Sequence, residues 1–242
     1  MKPLQIFIGF DPAESAAYYT MCNSIRKRAT FPVSITPLDI RNLSRIFWRD
    51  RDPLQSNEFS FVRFLVPWLC DYQGTAVFMD CDMLILDDIG NLFAHAQDQY
   101  AVSVVKHNHV PEEEVKYLGA VQTKYPRKNW SSVMLFNNAK CTALTPEYVA
   151  NAPGLDLHGF KWIEDEMIGE LPLAWNFLVN YYEDRPVDCI SNLHYTEGGP
   201  YFHEYRDCPY ADVWWKEYDD MRNTAQGAKR LTHFSEVAEK VG

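Results

Sequence analysis

Residues 75–86 read TAVFMDCDMLIL. From Thr75 to Met79 the run is nearly continuous and apolar, the pattern of a strand covered on both faces. It ends on two carboxylates, Asp80 and Asp82, with Cys81 between them. Residues i and i+2 of an extended chain share a face, which would set their Cα atoms about 6.5 to 7 Å apart. Carboxylates that close repel unless a cation lies between them or one is protonated. Oxygen ligands suit Mg2+ and Mn2+, so Asp80 and Asp82 are candidate metal ligands. The competing reading is a pair of solvated acids before a turn.

The flanking sequence alternates strand and helix patterns. Residues 4–10 read as a first strand and 14–29 as a helix with Ala17, Met21 and Ile25 on one face. Residues 32–40 read as a second strand, broken or at a sheet edge because of Pro37. Residues 57–71 predict a helix whose apolar face is Phe59, Val62, Leu65, Val66 and Leu69, with Pro67 kinking it or setting its last turn. A helix is expected over 87–96, strands over 100–107 and 131–138, and a helix over 145–152 with Thr145 as N-cap and Pro146 at N1. Residues 162–171 read as an acidic helix. Such alternation implies an α/β fold, a largely parallel sheet covered by helices, with ligands beyond the carboxyl ends of the strands.

The chain has 242 residues and a net charge of −10, which speaks against a nucleic-acid partner. Its apolar runs are too short for a membrane span or a secretory leader. Six scattered cysteines without a CxxC pair fit reduced thiols and a cytoplasmic protein. One domain over 1–242 is expected, with 201–242 an irregular, helical and aromatic-rich C-terminal part.

The block FSFVRFLVPWLCDYQGTAVFMDCDMLILDDIGNLF resembles the core of glycosyltransferase family eight and its bacterial relatives. IFIGFDP, SSVMLFNN, EDEMIGELPLAWN and HYTEGGPYF follow in that family's order, so the likeness runs from residue 4 to about 202. The resemblance implies a GT-A, Rossmann-like fold and transfer of a sugar from a nucleotide-diphosphate sugar, with UDP as carrier and retention of configuration. A carbohydrate or other hydroxyl would be the acceptor. It makes Phe10 and Asp11 candidates for the nucleotide base, and Asp80, Asp82 and His194 candidates for Mn2+ (or Mg2+). Gly198 and Gly199 become candidates for close backbone approach to phosphate, and Arg63 and Asp165 for catalytic roles. Three positions depart from the pattern. Trp130-Ser131-Ser132 replaces Asn-Ser-Gly, Asp165 stands where many members carry Gln, and Gly199 replaces a Lys. A diphosphate partner would then come from elsewhere, for instance Lys106 or Arg206.

Each candidate has a plainer alternative. Asp11 can cap the first helix, and Arg63 can make a surface ion pair. His194 can be a hydrogen-bonded strand-end residue, and Asp165 a solvated acid. Arg41, Arg45, Arg49 and Arg51 read as a solvated helix face or an anionic-acceptor contact. His107 and His109 read as solvated loop histidines. Tyr201, Phe202, Tyr205, Trp214 and Trp215 read as packing or as sugar-stacking rings. Two other functions use the same motif: a haloacid-dehalogenase-type phosphohydrolase with an attacking Asp, and a nucleotide-sugar-binding module without catalysis.

Overall fold

A computed structural model describes residues 2–52, 55, 57–108 and 127–223. Residues 109–126 of the polar loop, His109 among them, and residues 224–242 of the C-terminal part lie outside the described residues. Strands β1 (Leu4–Gly9), β2 (Val33–Leu38), β3 (Thr75–Met79), β5 (Val102–Val104), β6 (Val133–Asn137) and β7 (Ile168–Glu170) form one sheet in the order β2-β1-β3-β6-β5-β7. β1 pairs in parallel with β2 and β3, and β5 with β7. β6 runs antiparallel to both its neighbours, so the sheet is mixed and mostly parallel. Its central strands are apolar on both faces, from Ile6 and Ile8 through Val77 and Met79 to Met134 and Phe136.

A second sheet holds β4 (Met83–Ile85), β9 (Asn192–His194) and β8 (Phe177–Leu178), in the order β4-β9-β8. It has its own small core of Leu84, Phe177, Leu193, Tyr195 and Trp214. Helix α1 (Ser15–Arg28) bridges the two sheets, and its Ser24 Oγ accepts from the Ile85 N–H at 3.1 Å. The last described helix in the chain, α6 (Ala211–Arg222), returns to α1. There its buried Glu217 accepts from Asn23 and pairs with Lys27 and Arg28.

Several expectations meet the structure directly. Pro37 lies on an edge strand, where a missing N–H costs nothing. Thr145 caps α4 (Pro146–Asn151) by accepting from the Tyr148 N–H, with Pro146 at N1. The helix expected over 87–96 is shorter: α3 runs Ile89–Phe93, and Asp88 stands outside it as its N-cap.

Three expectations are corrected. Residues 57–71 form a 3-10 segment (Val62–Leu65) and one α-turn, α2 (Val66–Leu69), in place of a longer helix. Pro67 has no N–H for the Arg63 carbonyl and its ring crowds that carbonyl, so a regular helix cannot run through it. The segment is also buried on every side from Phe61 to Pro67, which removes the solvent face an amphipathic helix needs. Residues 162–171 become a 3-10 turn (Asp165–Met167) followed by β7. Gly169 and the residue before Pro172 disfavour helix, and β5 offers an open edge. The arginines at 41–51 occupy no helix beyond the 3-10 turn Ile40–Asn42. Arg41 chelates Asp39, Arg49 Nη1 donates to the carbonyls of Val149, Ala150 and Ala152 at the end of α4, and Arg51 pairs with Glu58. α5 (Gly154–His158) follows α4 directly.

At the end of β1, a Cβ on Gly9 would lie 2.3–2.8 Å from the Phe59 ring. That ring is buried and touches Phe78 and Arg63, so it has nowhere to retreat. Gly9→Ala should cost about 1–3 kcal/mol. At this chain length that is a fall in Tm of several degrees, about 2–4 °C per kcal/mol. A thermal melt with unchanged Tm would mean that the ring moves aside freely.

Candidate metal centre

The Asp80-Cys81-Asp82 tripeptide follows directly on the end of β3, as expected, but is not itself extended strand. It is the bend that carries the chain from β3 of the large sheet to β4 of the small one. Backbone bonds fix both ends: the Asp80 N–H donates to the Ser132 carbonyl at 3.0 Å, and the Tyr195 N–H donates to the Asp82 carbonyl at 2.9 Å. β9 pairs antiparallel with β4 so that His194 stands opposite Met83, next to Asp82. One ligand atom from each of Asp80, Asp82 and His194 lies within 4.8 Å of the others. The three residues are buried, 8%, 8% and 1% exposed.

Cys81, between the carboxylates, points the other way, with Sγ 3.8 Å from buried Glu14 Oε2. Burial, then the nearby carboxylates of Glu14, Asp82 and Asp80, push its thiol well up. It stays a neutral packing group and adds no charge to the bend. Tyr201 Oη donates to the other Glu14 oxygen at 2.8 Å.

Arg63 is buried, not on the flank of a helix. Its Nη1 lies 2.9 Å from Asp80 Oδ1 and donates to the Ser131 carbonyl at 2.9 Å. The guanidinium also lies over the rings of Phe59 and Phe78, at 5.4 and 4.9 Å. The surface-ion-pair reading of Arg63 is therefore overturned. One guanidinium offsets one of two negative charges, and an imidazole faces the remaining carboxylate: His194 Nε2 is 3.3 Å from Asp82 Oδ1. Two carboxylate oxygens and one imidazole nitrogen this close together are a donor set that fits a divalent cation.

The other candidates fall around this centre in different ways. Asp11 caps the 3-10 turn Pro12–Glu14, accepting from the Ala13 N–H and also from the Glu58 N–H. Phe10 meets Tyr18 edge-on at 5.2 Å and has the Arg41 guanidinium 5.6 Å from its ring centre. Gly198 has a φ of +142°, and its N–H donates to the Tyr195 carbonyl. Cβ atoms at Gly198 and Gly199 would strike the Tyr205 and Tyr201 rings at 2.5 and 2.2 Å. Asp165 has a side chain 69% exposed and pairs with Arg127 at 2.6 Å, a hydrogen bond that holds its carboxyl below the ordinary range. Lys106 and Arg206 lie over Trp130 and Trp215. The late aromatics pack on one another, with Trp214 buried against Tyr201 and stacked on Tyr218. His107 is buried, and its Nδ1 lies 2.7 Å from Tyr182 Oη.

Sequence reading missed Asn176, which is fully buried with its Oδ1 2.8 Å from His194 Nδ1. The signal was present: a polar residue closing the apolar block LPLAWN. It also missed His158, half-buried edge-on to Phe64 and 2.8 Å from Ser131 Oγ. Burial first, and then the positive charges of Arg63 and Arg49, push its imidazole down to about 3.

Protein CDI of Arabidopsis thaliana is 47% identical over 226 residues, covering 90% of this chain and 87% of that protein. The chain belongs to the Protein CDI family. No protein-family model matches it. Its fold is that of solved GT-A glycosyltransferases. It superposes on the bifunctional glycosyltransferase WbbM with TM-score 0.59 at 15% identity, covering 89% of this chain and 51% of that one. For GlyE of Streptococcus pneumoniae TIGR4 the values are 0.59, 15%, 95% and 64%. For the galactosyltransferase LgtC, solved with donor and acceptor sugar analogs, they are 0.57, 12%, 90% and 96%. The chain thus spans about half of WbbM and under two thirds of GlyE. No helix among the described residues is long and apolar enough to cross a membrane.

The depressed His158 imidazole makes a pH prediction. The unfolded chain takes up a proton near pH 6.5, and the folded chain does not until about 3. Below pH 6.5 the unfolded state therefore binds more protons, and stability falls as pH falls. The loss between pH 7 and pH 4 is about 3 kcal/mol. Urea midpoints should show this acid limb in the parent and a clearly flatter one in His158→Gln. Parallel limbs would place the titrating group elsewhere.

Proposed function

We propose that the chain is a metal-dependent glycosyltransferase that moves a sugar from a nucleotide-diphosphate sugar, carried on UDP, to a hydroxyl of a carbohydrate or other acceptor. The observation that carries this reading is the buried Asp80, Asp82 and His194 cluster within 4.8 Å, placed where β3 of a GT-A fold ends. These three residues would hold Mn2+ or Mg2+, and the bound ion would supply Lewis-acid neutralisation of the departing diphosphate. Mn2+ is the better match, because Mg2+ prefers oxygen ligands and keeps its water.

The chain's own residues support that chemistry. Arg63 neutralises and aims Asp80, through a contact between opposite charges at 2.9 Å. Phe10 and Asp11, at the carboxyl end of β1, would meet the nucleotide base. The Gly198-Gly199 turn, where no Cβ intrudes, would meet the diphosphate. Asp165, kept ionised by Arg127, is a poor proton acceptor. Its fitting role is a fixed negative charge facing the positive charge that develops at the anomeric carbon. The UDP carrier, retention of configuration and membership of family eight rest on the resemblance of the sequence blocks. A single catalytic domain over 1–242 fits the return of α6 onto α1, and a cytoplasmic setting fits six free cysteines.

The alternatives fare less well. A phosphohydrolase of the haloacid-dehalogenase type would need Asp80 to attack phosphorus, and that carboxylate faces Arg63. A silent binding module would share the whole geometry and differ only in turnover.

Nucleotide sugars should raise the melting temperature with Mn2+ present and not with a chelator, since binding to the folded state stabilises it by mass action. Asp82→Asn should abolish donor turnover and leave far-UV circular dichroism unchanged. Turnover that survives both chelation and Asp82→Asn would remove the metal from the reaction. Metal-dependent binding without turnover would make the protein a sugar-nucleotide receptor.

A further inference from the structure

We infer that Asn176 is the positioning residue of the metal centre, selecting the His194 ring nitrogen that is left bare for the cation. The inference rests on the metal-dependent reading above and concerns a residue to which that reading gives no role. Asn176 lies in the 3-10 turn Leu173–Asn176, and the strand β8 that follows it pairs in parallel with β9, the strand carrying His194. Both side chains are buried, Asn176 fully.

The orientation of the amide is settled by what it touches. Nδ2 lies 3.2 Å from the Asn129 carbonyl. A carbonyl only accepts, so the NH2 end of the amide must face it. Oδ1 then faces His194 Nδ1 at 2.8 Å. An amide oxygen likewise only accepts, so Nδ1 carries the proton and Nε2 is the nitrogen turned toward Asp82. A histidine ligates through the nitrogen that does not hold the proton, and the bond made by the other nitrogen decides which one that is.

Asp82 makes this selection necessary. Its carboxylate, 3.3 Å from Nε2, is a strong acceptor for a proton on that nitrogen. Without Asn176, a neutral ring would place its proton on Nε2 and donate to Asp82. The lone pair then points away from the cation site, and a buried Nδ1 loses its partner. Asn176 also ties the ring to the loop that serves the two other groups. Asn129, with a left-handed φ of 64°, opens the turn whose Ser131 and Ser132 carbonyls accept from Arg63 and from the Asp80 N–H.

The test uses the full chain with Mn2+ alone, titrated by electron paramagnetic resonance, alongside 15N spectra of histidine-labelled protein at pH 8. In the parent, the His194 signal, identified by its loss in His194→Gln, should report a protonated Nδ1. Asn176→Leu should move that proton to Nε2 and weaken Mn2+ binding by about 10- to 100-fold. Asn176→Asp, which keeps an acceptor facing Nδ1, should retain the protonated Nδ1 and bind Mn2+ far more tightly than Asn176→Leu. A general packing role for Asn176 would not separate these two variants.

Failure of the inference and failure of its basis look different. If Asp82→Asn loses Mn2+ while Asn176→Leu binds like the parent, the centre stands and the role of Asn176 is overturned. If the parent ignores Mn2+, the metal reading falls and this inference with it. Should Asn176→Leu not fold, the parent spectrum still decides, because a bare Nδ1 overturns the inference by itself.

Discussion

Two carboxylates held under the surface within reach of one another are the constraint on which the surrounding structure depends. Burying one ionised group is expensive, and burying two of like sign is worse. Arg63 is the first part of the answer. Its guanidinium faces Asp80, lies over two phenylalanine rings and donates to a main-chain carbonyl. Removing one partner of a buried pair costs about 3–5 kcal/mol, because the other is left uncompensated. Arg63 therefore belongs to the fold as much as to the chemistry, and the short irregular helix around it exists to deliver that side chain inward.

The second part of the answer is the turn at 129–132. Its carbonyls receive Arg63, the Asp80 N–H and the Asn176 amide. Ser131 Oγ reaches half-buried His158, and Ser132 Oγ folds back to the Asn129 carbonyl. The Trp130-Ser131-Ser132 stretch departs from the family pattern in its side chains. Its work is done largely by main-chain oxygens, which every residue carries, so a change of side chains there leaves the support of the centre in place.

Much of the fold was legible before any coordinates. Thr145 caps a helix, Pro37 marks an edge, and the apolar runs at 4–9 and 75–79 are central strands. Each of these follows from a side chain acting on its own neighbours. The segments 57–71 and 162–171 misled because their apolar spacing was helical while their surroundings were not. One is enclosed on all sides and interrupted by Pro67, and the other meets the open edge of β5 next to Gly169 and Pro172. The antiparallel course of β6 was equally hidden, since strand direction leaves no mark on an apolar run.

By itself the sequence determined the chemical types at the centre: two acids two residues apart, an arginine upstream and a histidine downstream. Spacing along the chain conveys that much, because it concerns which groups are carried and how near their neighbours lie. Tertiary structure decided what those groups do to one another. Arg63 meets the Ser131 carbonyl 68 residues away, and His194 meets Asn176 18 residues away. The tripeptide became a bend between two sheets only because β4 found β9. Hydrogen-bond partners and burial depend on which distant segments pack together, and no local spacing encodes that.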